Sequence, residues 1–313
     1  MSLAALIARA ELPLGAPVAL ATCDRSGAVV DAVAGRWPNG RDVSAADRFY
    51  AASLTKQVTG AAVALLVRAG RLDIDAPVAT YKMDLPGWSK RITVDQLLHH
   101  TAGLPSAGEI EATLSGHWTE AFALAALRNL PELSAEPGST FLYSNLGYIL
   151  LARIVEQVSR QPFSTFVTTQ LLDPIGITGM EFRNSGSSDG YEQAQLMGSH
   201  LPLTLGDGGL WTTAAGFAAW LGSQNRDTFG IASLVETPGR LNDGQLTDYG
   251  WGIGLRRRRG APTFVHAGGW TGAVAQAVRS PRLGIAAVVL AALSPIDAIN
   301  ALFERAIEEM EPQ

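Results

Sequence analysis

Cysteine and lysine are the scarce residues of this 313-residue chain. Cys23 is the only cysteine, which excludes an intramolecular disulfide and leads us to expect a reducing, cytoplasmic setting. In the apolar run 17–23 its thiol reads as a small core group rather than a nucleophile. Lys56, Lys82 and Lys90 are the only lysines among 24 basic residues; the rest are arginine. Charged residues make up 17% and the net charge is -5, so composition offers no reason to expect a nucleic-acid partner. Long apolar runs are also missing. The stretch 285–293 is too short to cross a bilayer, and Arg9 and Glu11 interrupt the opening segment, which reads as a short amphipathic helix and not as an export signal. No membrane association is expected. The five histidines show no metal-ligand spacing such as H-E-x-x-H, so neither a metal nor a cofactor is expected. No internal repeat or low-complexity tract is visible.

What is present is a globular composition, 47% apolar. Runs 16–23 and 27–34 read as strands joined by the turn Asp24-Arg25-Ser26-Gly27. A long apolar helix follows over 54–69, ended by Gly70. The middle is helical, with candidates at 93–100, 118–129, 144–160, 163–172 and 213–223, punctuated by Pro131, Pro137 and Pro174. Strands return at 249–258, 262–266, 272–279 and 284–292, and a last helix covers 296–310. Strands at both ends with helices between them predict an α/β domain from 1–75 and 225–313, a helical domain inserted over 76–224, and a site where the two meet.

The first chemical signal is Ser53-Leu54-Thr55-Lys56 at the start of the long helix. Residues three apart share a face, so the hydroxyl and the amine can meet. A serine hydroxyl needs a base nearby to become a nucleophile. An ordinary lysine is protonated at neutral pH, but burial in an apolar helix and the positive end of the helix dipole both work against that charge. Arginine cannot lose its proton, so a lysine in the most apolar helix of an arginine-rich chain points to titration. The structural alternative is a lysine that snorkels to the surface. The helix start also offers the Ser53 N–H to a developing oxyanion, and Gly60 leaves the face beyond Lys56 without a side chain.

Two further triplets accompany this motif. Tyr143-Ser144-Asn145 precedes a helix, and His266-Ala267-Gly268-Gly269 is placed where one strand ends before another begins. With SLTK at 53–56, YSN at 143–145 and HAG at 266–268, the chain resembles the serine β-lactamase and penicillin-binding-protein superfamily, specifically its class C-like branch, which includes D-aminopeptidases and family VIII esterases. LLHHTAGL at 97–104, YSNLGYILLARIVEQV at 143–158, LLDPIGI at 171–177 and GGLWTTAAGFAAW at 208–220 match the same pattern. The resemblance implies an antiparallel sheet flanked by the N- and C-terminal helices, with the helical domain inserted. It implies Ser53 as the acylated nucleophile, Lys56 as its proton partner and Tyr143 as a second proton shuttle; which of these two is the base stays open. Asn145 would bind the substrate amide or Lys56. Gly269 would donate the second oxyanion-hole N–H, on a strand whose approach to substrate tolerates little side chain, and Gly268 would line the same path. His266 would supply a polar group whose charge varies near neutrality.

Ala267 departs from the antibiotic-targeting pattern, which carries a hydroxyl there to grip a substrate carboxylate. Only 213 residues separate Ser53 from His266, short for class C enzymes. An esterase-like hydrolase of small-molecule esters or amides is therefore expected, ahead of a β-lactamase or a D-amino-acid peptidase or amidase. A catalytically silent ligand-binding relative is the alternative of another class. No oligomeric state follows from the sequence. Gly186-Ser187-Ser188-Asp189-Gly190 matches G-x-S-x-G, but its polar flanks make it a surface loop. His99 and His100 read as helix-capping residues, Gly250-Trp251-Gly252-Ile253-Gly254 as strand, and Arg256 to Arg259 as a solvated hairpin. Trp211 and Trp270 line an acyl pocket or pack.

Overall fold

The turn chemistry at Asp24 starts the architecture. Its carboxylate accepts the backbone N–H groups of Ser26 (2.8 Å) and Ala28 (2.9 Å), and Gly27 takes the left-handed conformation that closes the hairpin. The computed structural model describes residues 1–106, 119–183 and 204–311. In chain order its elements are α1 (Leu3–Ala8), β1 (Val18–Cys23), β2 (Val29–Ala34), β3 (Phe49–Tyr50), α2 (Thr55–Arg68), α3 (Val94–Leu98), α4 (Glu120–Arg128), α5 (Asn145–Ser159), α6 (Phe163–Val167), β4 (Met180–Phe182) and β5 (Leu210–Thr212). There follow α7 (Ala214–Asn225), α8 (Ala232–Val235), β6 (Gly254–Arg258), β7 (Ala261–Trp270), β8 (Ala273–Ser280), β9 (Ile285–Ala292) and α9 (Ile296–Met310).

Six strands form one antiparallel sheet in the order β2-β1-β9-β8-β7-β6, so the N-terminal hairpin pairs with the last strand of the chain. Every residue of β9 is buried, as its unbroken apolar run IAAVVLAA requires of a strand covered on both faces. One cover is α1 with α9, whose Ile299, Leu302, Phe303, Ala306 and Ile307 meet Leu20, Val289 and Ala291. The other includes α7, which packs on β1 and β9 and is buried on nearly all sides, as its all-round apolar composition demands. Helix α7 falls within the segment expected as the helical insertion, yet it lies on the sheet. A small sheet, β3-β5-β4, runs beside the start of α2.

Several expectations shift in detail. Helix α2 ends where Gly70 was expected to end it: Arg71 N–H donates to the Leu66 carbonyl and Gly70 N–H to that of Val67. The helix expected over 163–172 is α6 continued by a π-turn over Thr168–Leu172. The strand expected over 249–258 is corrected to Gly254–Arg258. Residues 250–253 instead bend onto α2, where a Cβ at Gly252 (φ +81°) would sit 2.1 Å from the Lys56 carbonyl oxygen and one at Gly60 2.3 Å from that of Trp251. The bare face beyond Lys56 therefore exists to admit this bend. Strand β7 continues to Trp270, so the HAG triplet lies inside a strand and not at its end. The arginine hairpin turns through Arg259 (φ +47°) and Gly260 (φ +74°), and Arg258 and Arg259 pair with Glu311. Ser188 lies outside the described residues.

Candidate active site

Ser53 occupies a short 3-10 turn, Ala52–Leu54, that leads into α2. Lys56 follows three residues later in the first turn of α2, so the two side chains share a face. Ala52 adopts φ +47°, a conformation alanine avoids, immediately before the serine. Strand β7 holds it there. A Cβ at Gly268 would lie 2.5 Å from the Ala51 carbonyl oxygen and 3.2 Å from the Ser53 nitrogen, so only glycine lets the strand lie against the turn. A Cβ at Gly269 would meet open space. The intolerance of a side chain expected at Gly269 thus falls on Gly268.

Lys56 is fully buried at 0% exposure. Its Nζ lies 3.0 Å from Ser53 Oγ, 2.8 Å from Asn145 Oδ1 and 3.0 Å from the Asp207 carbonyl oxygen. The proton count is informative. The Asn145 and Asp207 carbonyl oxygens can only accept, so they fix two of the amine's N–H groups and leave its third position facing Ser53 Oγ. Because Lys56 claims the oxygen of Asn145, that residue's NH2 group remains to meet a ligand. The Tyr143 ring centroid lies 5.0 Å from Nζ and that of Tyr148 5.6 Å. Ser53, Lys56, Tyr143 and Asn145, drawn from two distant segments, thus come together around one amine.

His266 joins them by a different route. Its ring centroid is 6.3 Å from that of Tyr143. Tyr249 Oη lies 2.9 Å from Nε2, and the Ala267 carbonyl oxygen lies 2.7 Å from Nδ1. The carbonyl can only accept, so Nδ1 carries the proton, Nε2 accepts, and the Tyr249 hydroxyl donates. Burial first and the Lys56 charge second push the imidazole down to about 3. The expected near-neutral titration of His266 is therefore corrected: the ring is a neutral, fully engaged group.

Four contributors to the floor of this site escaped the sequence reading. His100, expected as a capping residue, is buried with its ring 4.3 Å from Tyr143, 5.0 Å from Tyr148 and 4.8 Å from Tyr249, centroid to centroid. The Ser144 N–H donates to its Nδ1 at 3.2 Å. Burial, then Lys56, holds this ring well below the usual histidine range. Burial lifts the Tyr148 and Tyr249 phenols well above theirs, with Tyr143 among the further contributors to both. Asp207 is 4% exposed; burial raises its carboxyl, opposed by the Lys56 charge. Tyr148 and His100 sat inside quoted phrases, but periodicity marks them only as core. His99, by contrast, caps α3 as expected, with Nδ1 3.0 Å from the Asp95 carbonyl oxygen. Trp211 packs with Tyr50, Ala52 and Ala273, and Trp270 lies against the same cluster beside the serine turn. No group of side chains able to hold a metal occurs among the described residues, and none of their helices is long and apolar enough to cross a membrane.

The chain is 29% identical over 176 residues to Protein flp of Staphylococcus aureus (strain MRSA252), an alignment covering 54% of this chain and 35% of that protein. It thus spans about a third of that curated relative's length. Its fold matches the penicillin binding protein from Bacillus halodurans with TM-score 0.78 at 21% identity, over 98% of this chain and 99% of that one. It matches the D-amino acid amidase from Ochrobactrum anthropi SV3 with TM-score 0.77 at 20% identity, over 98% and 100%. The family profile named Beta-lactamase matches residues 15–306. The chain therefore belongs to the Beta-lactamase family, within the superfamily of serine β-lactamases and penicillin-binding proteins.

Proposed function

We propose that the chain is an acyl-enzyme hydrolase of small-molecule esters or amides, esterase-like in preference, with Ser53 as nucleophile. One observation carries the reading: a fully buried lysine amine, with two fixed acceptors, lies 3.0 Å from the Ser53 hydroxyl. Ser53 Oγ attacks the substrate carbonyl carbon and its proton passes to Lys56 Nζ. The carbonyl π electrons move to oxygen, where the Ser53 and Gly269 N–H groups are proposed donors. Collapse expels the alcohol or amine, which takes a proton delivered from Lys56 through the Tyr143 phenol. Water, giving a proton back along the same path, then hydrolyses the ester on Ser53 and releases the acid. Asn145 NH2 and the path along Gly268 hold the acyl group.

The esterase preference rests on Ala267, which offers no hydroxyl to a substrate carboxylate. Hydrolysis of β-lactams or of D-amino-acid amides is the second reading. The class C-like assignment belongs to the same proposal, as do a sheet unit from 1–75 and 225–313, a helical insertion over 76–224 and a site between them. So does a cytoplasmic location, supported by the lone cysteine. A fluorophosphonate probe should label Ser53, mapped by peptide mass, and fail on Ser53→Ala. Labelling elsewhere, or none, would favour a silent ligand-binding relative. A panel of p-nitrophenyl esters, D-amino-acid anilides and nitrocefin ranks the substrate classes; nitrocefin turnover far above ester turnover removes the esterase preference.

A further inference from the structure

The third motif offers a ligand neither a charge nor a free ring nitrogen. Tyr249, in the bend before β6, donates its O–H to His266 Nε2 at 2.9 Å, while Nδ1–H is spent on the Ala267 carbonyl at 2.7 Å. Tyr249 is itself 7% exposed and His266 8%, so this arrangement is enclosed by packing. Among the described residues the titratable groups around the ring are the Lys56 amine from α2, the His100 imidazole, and the Tyr143, Tyr148 and Tyr249 phenols. No carboxylate is among them to favour an imidazolium. Other cations near the serine are committed as well. Lys56 is held by Ser53, Asn145 and Asp207, and Arg183, over the Trp211 ring, pairs with Glu181.

We propose that Tyr249 is a specificity-determining positioning residue: by saturating His266 it makes this site select acyl groups that carry no carboxylate. A carboxylate entering beside the nucleophile would lose its hydration and find no charged or unspent donor on the third motif in exchange. A neutral acyl chain pays no such cost. The proposal rests on Ser53 being the nucleophile, and goes further by naming the class of acyl donor and the residue that sets it.

The test pairs p-nitrophenyl butyrate with p-nitrophenyl hemisuccinate, which differ at the acyl terminus by methyl against carboxylate. For the wild-type protein kcat/KM for the butyrate should exceed that for the hemisuccinate by about a hundredfold, the scale of leaving a charged group without a donor. Tyr249→Phe frees Nε2. A carboxylate can then enter together with a proton on Nε2, so although burial and Lys56 keep the unliganded ring neutral, the ratio of hemisuccinate to butyrate kcat/KM should rise roughly tenfold as pH falls from about 8 to about 5.5. His266→Lys, charged throughout, should narrow the gap at both. Comparable efficiencies on the two esters in the wild type overturn the proposal, whether or not the variants fold. So does a Tyr249→Phe enzyme that loses both activities in equal proportion, since a purely structural role predicts that result. Absence of both butyrate turnover and Ser53 labelling by a fluorophosphonate would instead sink the hydrolase reading itself.

Discussion

Replacing His266 by glutamine should flatten the acid limb of the stability curve, by an amount the structure fixes. In the folded chain burial and the Lys56 charge hold this imidazole at about 3, whereas in the unfolded chain it titrates near the usual value of about 6.5. The folded value is depressed, so below about pH 6.5 the unfolded chain binds the extra proton. His266 therefore contributes stability that is full above that pH and is lost as pH falls toward about 3. Each unit in that window costs about 1.4 kcal/mol, so going from pH 7 to pH 5 removes about 2 kcal/mol through this one ring. His100 acts in the same direction, and the two largest causes of its depression, burial and Lys56, are present in both proteins, as are the carboxylates, so most of these contributions cancel in the comparison. Urea unfolding of wild type and His266→Gln at the two pH values gives the difference directly. A constant offset reflects the lost Tyr249 hydrogen bond; the pH-dependent part should reach about 2 kcal/mol. Curves that run parallel between pH 7 and pH 5 would refute the buried, neutral assignment.

Three other perturbations have defined outcomes. Gly252→Ala places a Cβ 2.1 Å from the Lys56 carbonyl oxygen at a φ that alanine avoids, so thermal unfolding should show a loss of about 3 kcal/mol or more. Glu236→Gln leaves Arg279, 2% exposed, without the carboxylate that accepts from it at 2.7 Å; denaturant titration should show a loss of about 3–5 kcal/mol, with a smaller loss for the double variant carrying Arg279→Met as well. Lys56→Arg keeps a cation but cannot take the serine proton, so esterase kcat should fall by about a thousandfold or more while Asn145 and Asp207 retain a donor.

The fold was legible where a local pattern dictates it. The DRSG turn has a side chain that satisfies its own backbone, β9 reads as an unbroken apolar strand, and the last helix, expected over about 296–310, runs from Ile296 to Met310. Residues 250–253 misled because β-rich composition says nothing about a bend forced by contact with a distant helix; the glycines that permit it, Gly60 and Gly252, are 192 positions apart. The same limit applies at the site. SLTK was readable because its two polar groups are neighbours on one turn. The acceptors that hold Lys56 come from positions 145 and 207, and the Tyr249–His266 pair is a tertiary contact that no spacing announces. The charge expected on His266 failed for this reason: burial and the Lys56 charge decide it, and both belong to the folded chain.

The pairing order of the large sheet has a consequence for the making of the protein. Strand β7 and its glycine at 268, which hold the serine turn in its unfavoured conformation, sit between β6 and β8, with Gly268 placed 215 positions after Ser53. During synthesis the first two hundred residues emerge with the hydroxyl and the amine close in sequence but without the carbonyl at 207 or the strand that fixes them. The serine turn takes its form only once β7 has docked, so a chain stopped before that strand holds Ser53 and Lys56 without the contacts that place them.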